Sequence, residues 1–416
     1  MGELTRTRSG LLFRYDPSWL DQDGAFPLSL SLPLRSQPYG GDGLTNVLDN
    51  LLPDDLRVRQ AVARQVGAVR PDVYGLLEAI GRDCVGALQF LPPHEAGWQG
   101  GQPDGVPISE EEIAELLLSL DVRPLGVTKD PGFRISVAGA QAKTSLLLLK
   151  GRWYLPRGPT PSTHLLKPPI GRSGAAEDLS NGVENEFLCL QLVRALDVPA
   201  AVAQIEDFAG TKALVVERFD RERTTSGIRR RPQEDLCQAL GLPSSAKYEA
   251  DGGPGAIDLL EFLYASDEPL LDRERLFRAL FVFWLLGATD AHAKNLSVEL
   301  GPGASFRLTP VYDVMSLEPS VRSGGLRQQD YRMAIAIGDN RHHRVNDIVP
   351  RHFVQTANRA GIDETLAREW MADVAAKVPS AIEAVTPAAR AHEATALLDA
   401  IATGMAKRSA LVGMGG

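Results

Sequence analysis

Cysteine is scarce: three in 416 residues, at positions 84, 189 and 237, with no paired spacing. That excludes a disulfide framework and a cysteine-based zinc site, and it fits a reducing cytoplasm, where we expect the chain to reside. Long apolar runs are missing too. The most hydrophobic stretch, residues 279–288 (ALFVFWLLGA), is about half a membrane span. It reads as a buried helix, so no membrane partner is expected. The opening residues, MGELTRTRSG, lack the apolar core of a signal peptide. There is no excess of basic residues, since Lys and Arg total 44 against 53 Asp and Glu, a formal net charge of −9. Such a chain is not expected to coat nucleic acid with its bulk field, and DNA association would run through a partner. Internal repeats and low-complexity segments are absent.

What is present is an ordinary globular composition, 44% apolar and 23% charged, on a chain long enough for two or three domains. Residues 1–130 carry a strand-like alternation at 26–34 (FPLSLSLPL) and helix patterns at 45–52 and 110–120, the latter after Ser109 as a cap. A Gly- and Pro-rich stretch at 92–107 reads as a surface loop. Residues 131–222 are rich in β signals: 133–138, a hairpin of 144–150 and 153–155 around Gly151, then 165–167 and 213–219, with a helix at 183–196. From 223 onward the pattern is helical, at 232–240, 256–265, 272–286, 350–360, 364–378 and 386–408, interrupted by two short strands within 296–308. The fold class is α+β, with a nucleotide-binding lobe in the middle segment and a mostly helical lobe after it.

The chemistry concentrates at residues 287–295, GATDAHAKN, and 308–316, LTPVYDVMS. Asp290 and Asn295 stand five apart on a loop, and Asp313 ends the strand that returns from the hairpin. The order Asp, four residues, Asn, hairpin, Asp is the one protein kinases use. A phosphoryl donor carries several negative charges that must be neutralised and aligned with the acceptor hydroxyl. One carboxylate takes or orients the acceptor proton, while an amide oxygen and a second carboxylate hold magnesium. Asp290 is therefore the expected catalytic base, and Asn295 and Asp313 the expected metal ligands. The competing reading makes Asp290 and Asp313 caps and places Asn295 in an Asx-turn. His292 reads as a hydrogen-bonding loop histidine rather than a metal ligand, because no second histidine has suitable spacing. Lys294 is placed to neutralise the transferring phosphate, and both residues are expected at the ATP site.

Residues 136–144, SVAGAQAKT, form a small-residue turn whose backbone N–H groups can cradle phosphates. Val137, Ala138, Gly139, Ala140, Gln141 and Lys143 are the candidates there. The spacing to Lys-Thr is not that of a Walker loop, and a plain tight turn is the alternative. Lys167 ends the apolar strand HLLK and suits the nucleotide phosphates, with Glu184 or Glu186 as its helix partner and Glu186 favoured. A solvated helix face would explain those glutamates equally well. At 215–221, VVERFDR, an apolar strand turns polar; Glu217 and Phe219 can offer backbone groups to adenine at a hinge, or the segment is an ordinary strand end.

FRISVAGAQAKT, TPSTHLLKPPIG, VVERFDR, RPQEDLCQALGLPSSAKYEADGGPG, GATDAHAKN and TPVYDVMS resemble the HipA family in this order, as do NLLPD, IGRDCVGAL and PRHF. The resemblance covers nearly the whole chain. It implies a two-lobe protein-kinase-like fold with an N-terminal subdomain at 1–130, a kinase N-lobe at 131–222 and a helical C-lobe at 223–416. It implies an ATP- and magnesium-dependent serine/threonine protein kinase acting as the toxin of a toxin–antitoxin pair, leading to growth arrest and persistence. The implied partners are a HipB-like helix-turn-helix antitoxin, operator DNA mainly through that antitoxin, and a protein substrate of the glutamyl-tRNA synthetase type. It further implies autophosphorylation at Ser136, where close to two added charges would silence the enzyme. Two departures stand out. Ala142 replaces a common glutamate, and the start at GELT lacks a short first strand. The alternatives are a kinase of a small molecule, and a corepressor that keeps the fold without the activity.

Overall fold

The computed structural model describes the chain apart from residues 94, 96, 98–101, 128–132, 137, 138, 140, 170–180, 226, 415 and 416. Internal contacts divide it into two compact units. The first comprises residues 1–168, 204–244 and 298–306; the second comprises 169–203, 245–297 and 307–416.

The first unit opens with an antiparallel sheet of Gly2–Thr7, Gly10–Tyr15 and Tyr39–Gly40. Helices Gly41–Asp49, Leu56–Val66 and Val73–Ile80 follow. The last two start where Asp55 and Asp72 take helix N–H groups on their carboxylates, as N-cap residues do. Tyr15, Leu44, Leu48, Val62, Leu76 and Ile80 share one buried core. Residues 26–34 do not form the strand expected from their alternation; only an isolated bridge joins Ser29 and Leu32. Side chains have taken the backbone groups a ladder would use. The Tyr15 hydroxyl donates to Leu32 O and accepts the Leu28 N–H, and Glu234 accepts the Leu30 N–H.

A six-stranded sheet follows, in the spatial order Gly105–Pro107, Arg152–Pro156, Thr144–Leu149, His164–Lys167, Thr211–Glu217, Ala203–Phe208. Its hairpin turns at Lys150 and Gly151, both with positive φ. The helix Glu110–Leu118 begins with a complete capping box between Ser109 and Glu112. It lays Ile113 and Leu117 onto Leu146, Leu166, Phe208 and Val215. The helix expected over 232–240 is only its second half. Gln233–Asp235 is a strand, and the helix Leu236–Ala239 starts at a capping box between Asp235 and Gln238.

The second unit is mostly helical, with Gly182–Ala195, Ala256–Phe262, Pro269–Leu286, Pro350–Arg359, Glu364–Ala391 and Thr395–Ser409. Pro269–Leu286 is its centre: Leu276, Phe277 and all of Ala279 to Leu286 are buried. The Phe353 ring packs 5.1 Å from Phe281 and 5.5 Å from Trp284. The helix expected to stop at 378 runs through Pro379 and Pro387 to Ala391. Its buried face (Val378, Ala381, Val385, Ala389) continues across both prolines, so packing outweighs the two lost hydrogen bonds. Among the described residues, no helix is long and apolar enough to cross a membrane.

Candidate active site

The helix Pro269–Leu286 ends because Gly287 enters the left-handed region (φ 64°) and its N–H caps Phe283 and Trp284 carbonyls. A Cβ at this glycine would collide with the Tyr331 hydroxyl. The chain is thereby released into the loop that carries the expected catalytic residues. His292 N–H donates to Asp290 O (2.9 Å), and Asn295 N–H donates to His292 O (2.9 Å). Asn295 Nδ2 also donates to Asp290 O at 2.8 Å. The loop therefore fixes the Asn295 amide through its nitrogen. The Asp290 side chain is 63% exposed, and its Oδ1 accepts the Tyr248 hydroxyl at 2.6 Å.

The returning segment is tied in from several sides. Thr309 donates both its N–H and its hydroxyl to Ser297 O at 3.0 Å. The Tyr312 hydroxyl donates to Lys294 O at 3.0 Å and shares a 2.5 Å hydrogen bond with the Ser297 hydroxyl. Asp313 then takes a left-handed conformation, φ 59°, which is uncommon and costly for a non-glycine residue and concentrates at functional sites. Just beyond it, Asn185 accepts the Ser316 N–H (2.9 Å) and donates to Ser316 O (2.8 Å), while the Ser316 hydroxyl donates to Leu286 O (2.6 Å).

These two segments form one pocket, lined by Asp290, Asn295 and Asp313 together with Phe283, Ala288, Ala291, Tyr312, Val314 and Met315. His292 and Lys294 do not line it; both are buried. Burial pushes the His292 pKa down, against the pull of the Asp290 carboxylate. Among the described residues no group of three or more His, Cys, Asp or Glu gathers as a metal cage. One amide oxygen and one carboxylate nevertheless fit magnesium, which keeps several waters and substrate phosphates in its octahedron.

The first unit holds the other candidates. Ser136 is fully buried; its hydroxyl donates to Leu51 O (2.7 Å) and its N–H to Asp83 O (3.0 Å). Gly139 has φ 109°, and a Cβ there would meet Lys143 Nζ. Gln141 is half-buried, and Lys143 and Lys167 are buried. Val137, Ala138 and Ala140 lie outside the described residues. Ala142 packs against the core under the six-stranded sheet. Glu217 is exposed and Phe219 half-buried.

The HipA N-terminal domain model matches residues 1–91, and the HipA-like C-terminal domain model matches residues 135–382. The chain belongs to the HipA family. Its relatives include a Sinorhizobium fredii protein named "Putative kinase Y4mE", 36% identical over 76% of this chain and 74% of that one. The serine/threonine-protein kinase toxin HipA of Shewanella oneidensis is 28% identical over 92% of this chain and 87% of its own length. The Shewanella oneidensis MR-1 HipA solved with HipB and operator DNA superposes with a TM-score of 0.80 at 24% identity, covering 100% of this chain and 96% of that one. That likeness establishes the α+β HipA fold.

Within this HipA-family chain, Glu184 and Glu186 are both buried, so a solvated helix face does not account for them. Asn185, Ser316 and Tyr248 make hydrogen bonds that fix the segments lining the pocket, and none of them is among the candidate residues read from the sequence. Asn185 offers a faint signal, as an amide amid an apolar helix and between two candidate glutamates. Tyr248 offers none beyond its place in SSAKYEADGGPG.

Proposed function

We propose that this chain is an ATP-dependent serine/threonine protein kinase and the toxin of a HipA-type toxin–antitoxin module. The observation that carries the reading is the convergence of Asp290, Asn295 and Asp313 on one pocket from two separate loop segments. Asp290 takes the role of base, its exposed carboxylate open to an acceptor hydroxyl. Asn295 and Asp313 hold magnesium, which when bound neutralises nucleotide phosphates. Lys143, Lys167 and Lys294, with the backbone of residues 137–141, complement the phosphates of ATP. Glu217 and Phe219 offer backbone groups to adenine, and His292 belongs to the ATP site.

We assign residues 1–130 to the HipA-type N-terminal subdomain, 131–222 to the nucleotide lobe and 223–416 to the catalytic lobe. Ser136 is the autophosphorylation site. Its hydroxyl is buried against Leu51 O, where a dianionic phosphate has no room, so modification requires this loop to leave its place. The partners are a HipB-like antitoxin, operator DNA through that antitoxin, and a cytoplasmic protein substrate of the aminoacyl-tRNA synthetase type.

The test is incubation of the purified chain with magnesium and ATP, alone and with lysate, followed by intact-mass and phosphopeptide analysis. Phosphoserine at 136 and on a second protein is expected for the parent and not for Asp290→Asn. Equal phosphate on the parent and the Asp290→Asn variant removes the kinase reading of this pocket, and full signal at another serine in Ser136→Ala removes the assignment of that site.

A further inference from the structure

One segment, SSAKYEADGGPG, passes beside the catalytic loop and bonds to it. We propose that Tyr248 is a positioning residue for Asp290, and that residues 247–249 are built to hold its phenol in place; this rests on the kinase reading above.

Both ends of the segment are clamped. On one side Lys247 O accepts the Ala293 N–H of the catalytic loop at 3.2 Å. On the other, Glu249 is buried, accepts the Ala336 N–H at 2.5 Å and pairs with Arg341 at 2.9 Å. The carbonyl of Tyr248 itself accepts the N–H groups of Asp251 (3.0 Å) and Gly253 (2.9 Å). The strand that anchors Glu249 also reaches the loop directly, through Ala334 N–H to Thr289 O at 2.8 Å.

The ring is equally constrained. It meets the His292 imidazole edge-on, with centroids 4.9 Å apart, and Lys247 Nζ lies 5.4 Å from its centroid. With backbone and ring both fixed, the hydroxyl points at Asp290 Oδ1, 2.6 Å away. The ring nitrogen nearest that oxygen, His292 Nε2, is 3.9 Å away, beyond hydrogen-bond reach. An exposed carboxylate turns about its Cβ–Cγ bond unless something holds one oxygen. Tyr248 holds Oδ1 and leaves Oδ2 for the acceptor. In the transfer the acceptor serine gives its proton to Asp290 Oδ2 and its oxygen bonds to the γ-phosphorus. The bond from that phosphorus to the β–γ bridging oxygen breaks, and ADP leaves with the electron pair. Tyr248 keeps its proton throughout.

Tyr248→Phe keeps the ring and its contact with His292 but removes the hydrogen bond. The expected result is a kcat about tenfold lower, the size of one charge-assisted hydrogen bond at a partly exposed site. The KM for ATP and the thermal midpoint should not move, a split that a merely structural role would not produce. A Phe variant with parental kcat, a loss confined to KM or thermal midpoint, or phosphate mapped onto Tyr248 itself would each overturn the positioning role. A parent that transfers no phosphate to any acceptor overturns the kinase reading instead, so the two failures are distinct.

Discussion

Replacing Asp83 by Asn should unlock the first unit. The Asp83 carboxylate is almost fully buried and meets three guanidinium groups. Its Oδ1 accepts from Arg221 (2.9 Å) and Arg230 (2.8 Å), and its Oδ2 accepts from Arg218 (3.3 Å) and from the Ser162 N–H (3.0 Å) and hydroxyl. A second carboxylate, Asp220, is committed to Arg218 (2.8 and 3.0 Å) and Arg221 (2.9 Å). Asn preserves the volume but removes the charge and turns an N–H₂ toward guanidinium donors. Arg230, whose Nε already lacks a partner among the described residues, is left most exposed to the change. Removing one member of a buried charged network costs about 3–5 kcal/mol, a large share of the roughly 5–15 kcal/mol that holds a domain folded.

The assay is urea unfolding combined with hydrogen exchange read by mass spectrometry. Peptides spanning 81–86 and 215–231 should lose protection, while those from the helix Pro269–Leu286 should not. The pH dependence follows from the carboxylate, which burial pushes up but the three arginines hold well below its ordinary range. A depressed folded pKa gives stability that is complete above the unfolded value, about 4, and is lost only as pH falls through the folded value. The deficit of Asp83→Asn should therefore be flat between pH 5 and 8. A loss under about 1 kcal/mol, or one that varies steeply across that window, would refute the argument that this network is a net requirement of the fold.

Two further stability predictions have different causes. Glu234 is buried, with Oε1 accepting the Leu30 N–H at 2.8 Å and Oε2 without a hydrogen-bond partner among the described residues. Burial pushes its pKa up to about 8 from 4.5. The unfolded chain ionises this carboxyl first, so stability should fall as pH rises from about 4.5 to 8, by on the order of 3–5 kcal/mol. Glu234→Gln should flatten that fall in denaturation series across the window, and parallel curves for the two proteins would contradict the burial argument. Gly287→Ala places a Cβ against the Tyr331 hydroxyl at a positive φ, and Tyr331 is itself tied to Glu318 at 2.7 Å. A loss of about 2–4 kcal/mol is expected, read as a lowered thermal midpoint, and an unchanged midpoint would show that the helix end can adjust.

That Asp290, Asn295 and Asp313 would meet was legible because their order is local. Asp290, Asn295 and Asp313 lie within 24 residues, and the hairpin between them returns the chain to its starting point. The Ser109 cap and the hairpin at Gly151 were legible for the same reason, since a cap or a turn is specified by neighbours three or four residues away. Alternation misled at 26–34 because it reports which side chains face inward and not what the backbone bonds to. Tyr15 and Glu234 supplied the partners that a neighbouring strand would otherwise have given.

VVERFDR shows the limit most clearly. Read alone, Arg218, Asp220 and Arg221 mark the place where a buried strand meets solvent. In the fold they are as buried as the strand, because Asp83, 135 residues earlier, meets Arg218 there. No window of sequence contains both partners, so a charged residue that reads as exposed and one that is paired in the interior look alike until the chain closes on itself. The same holds for Tyr248 and Asp290, 42 residues apart. The local motif identifies which carboxylate sits in the loop, but what holds that carboxylate comes from a segment whose residues give no sign of that contact.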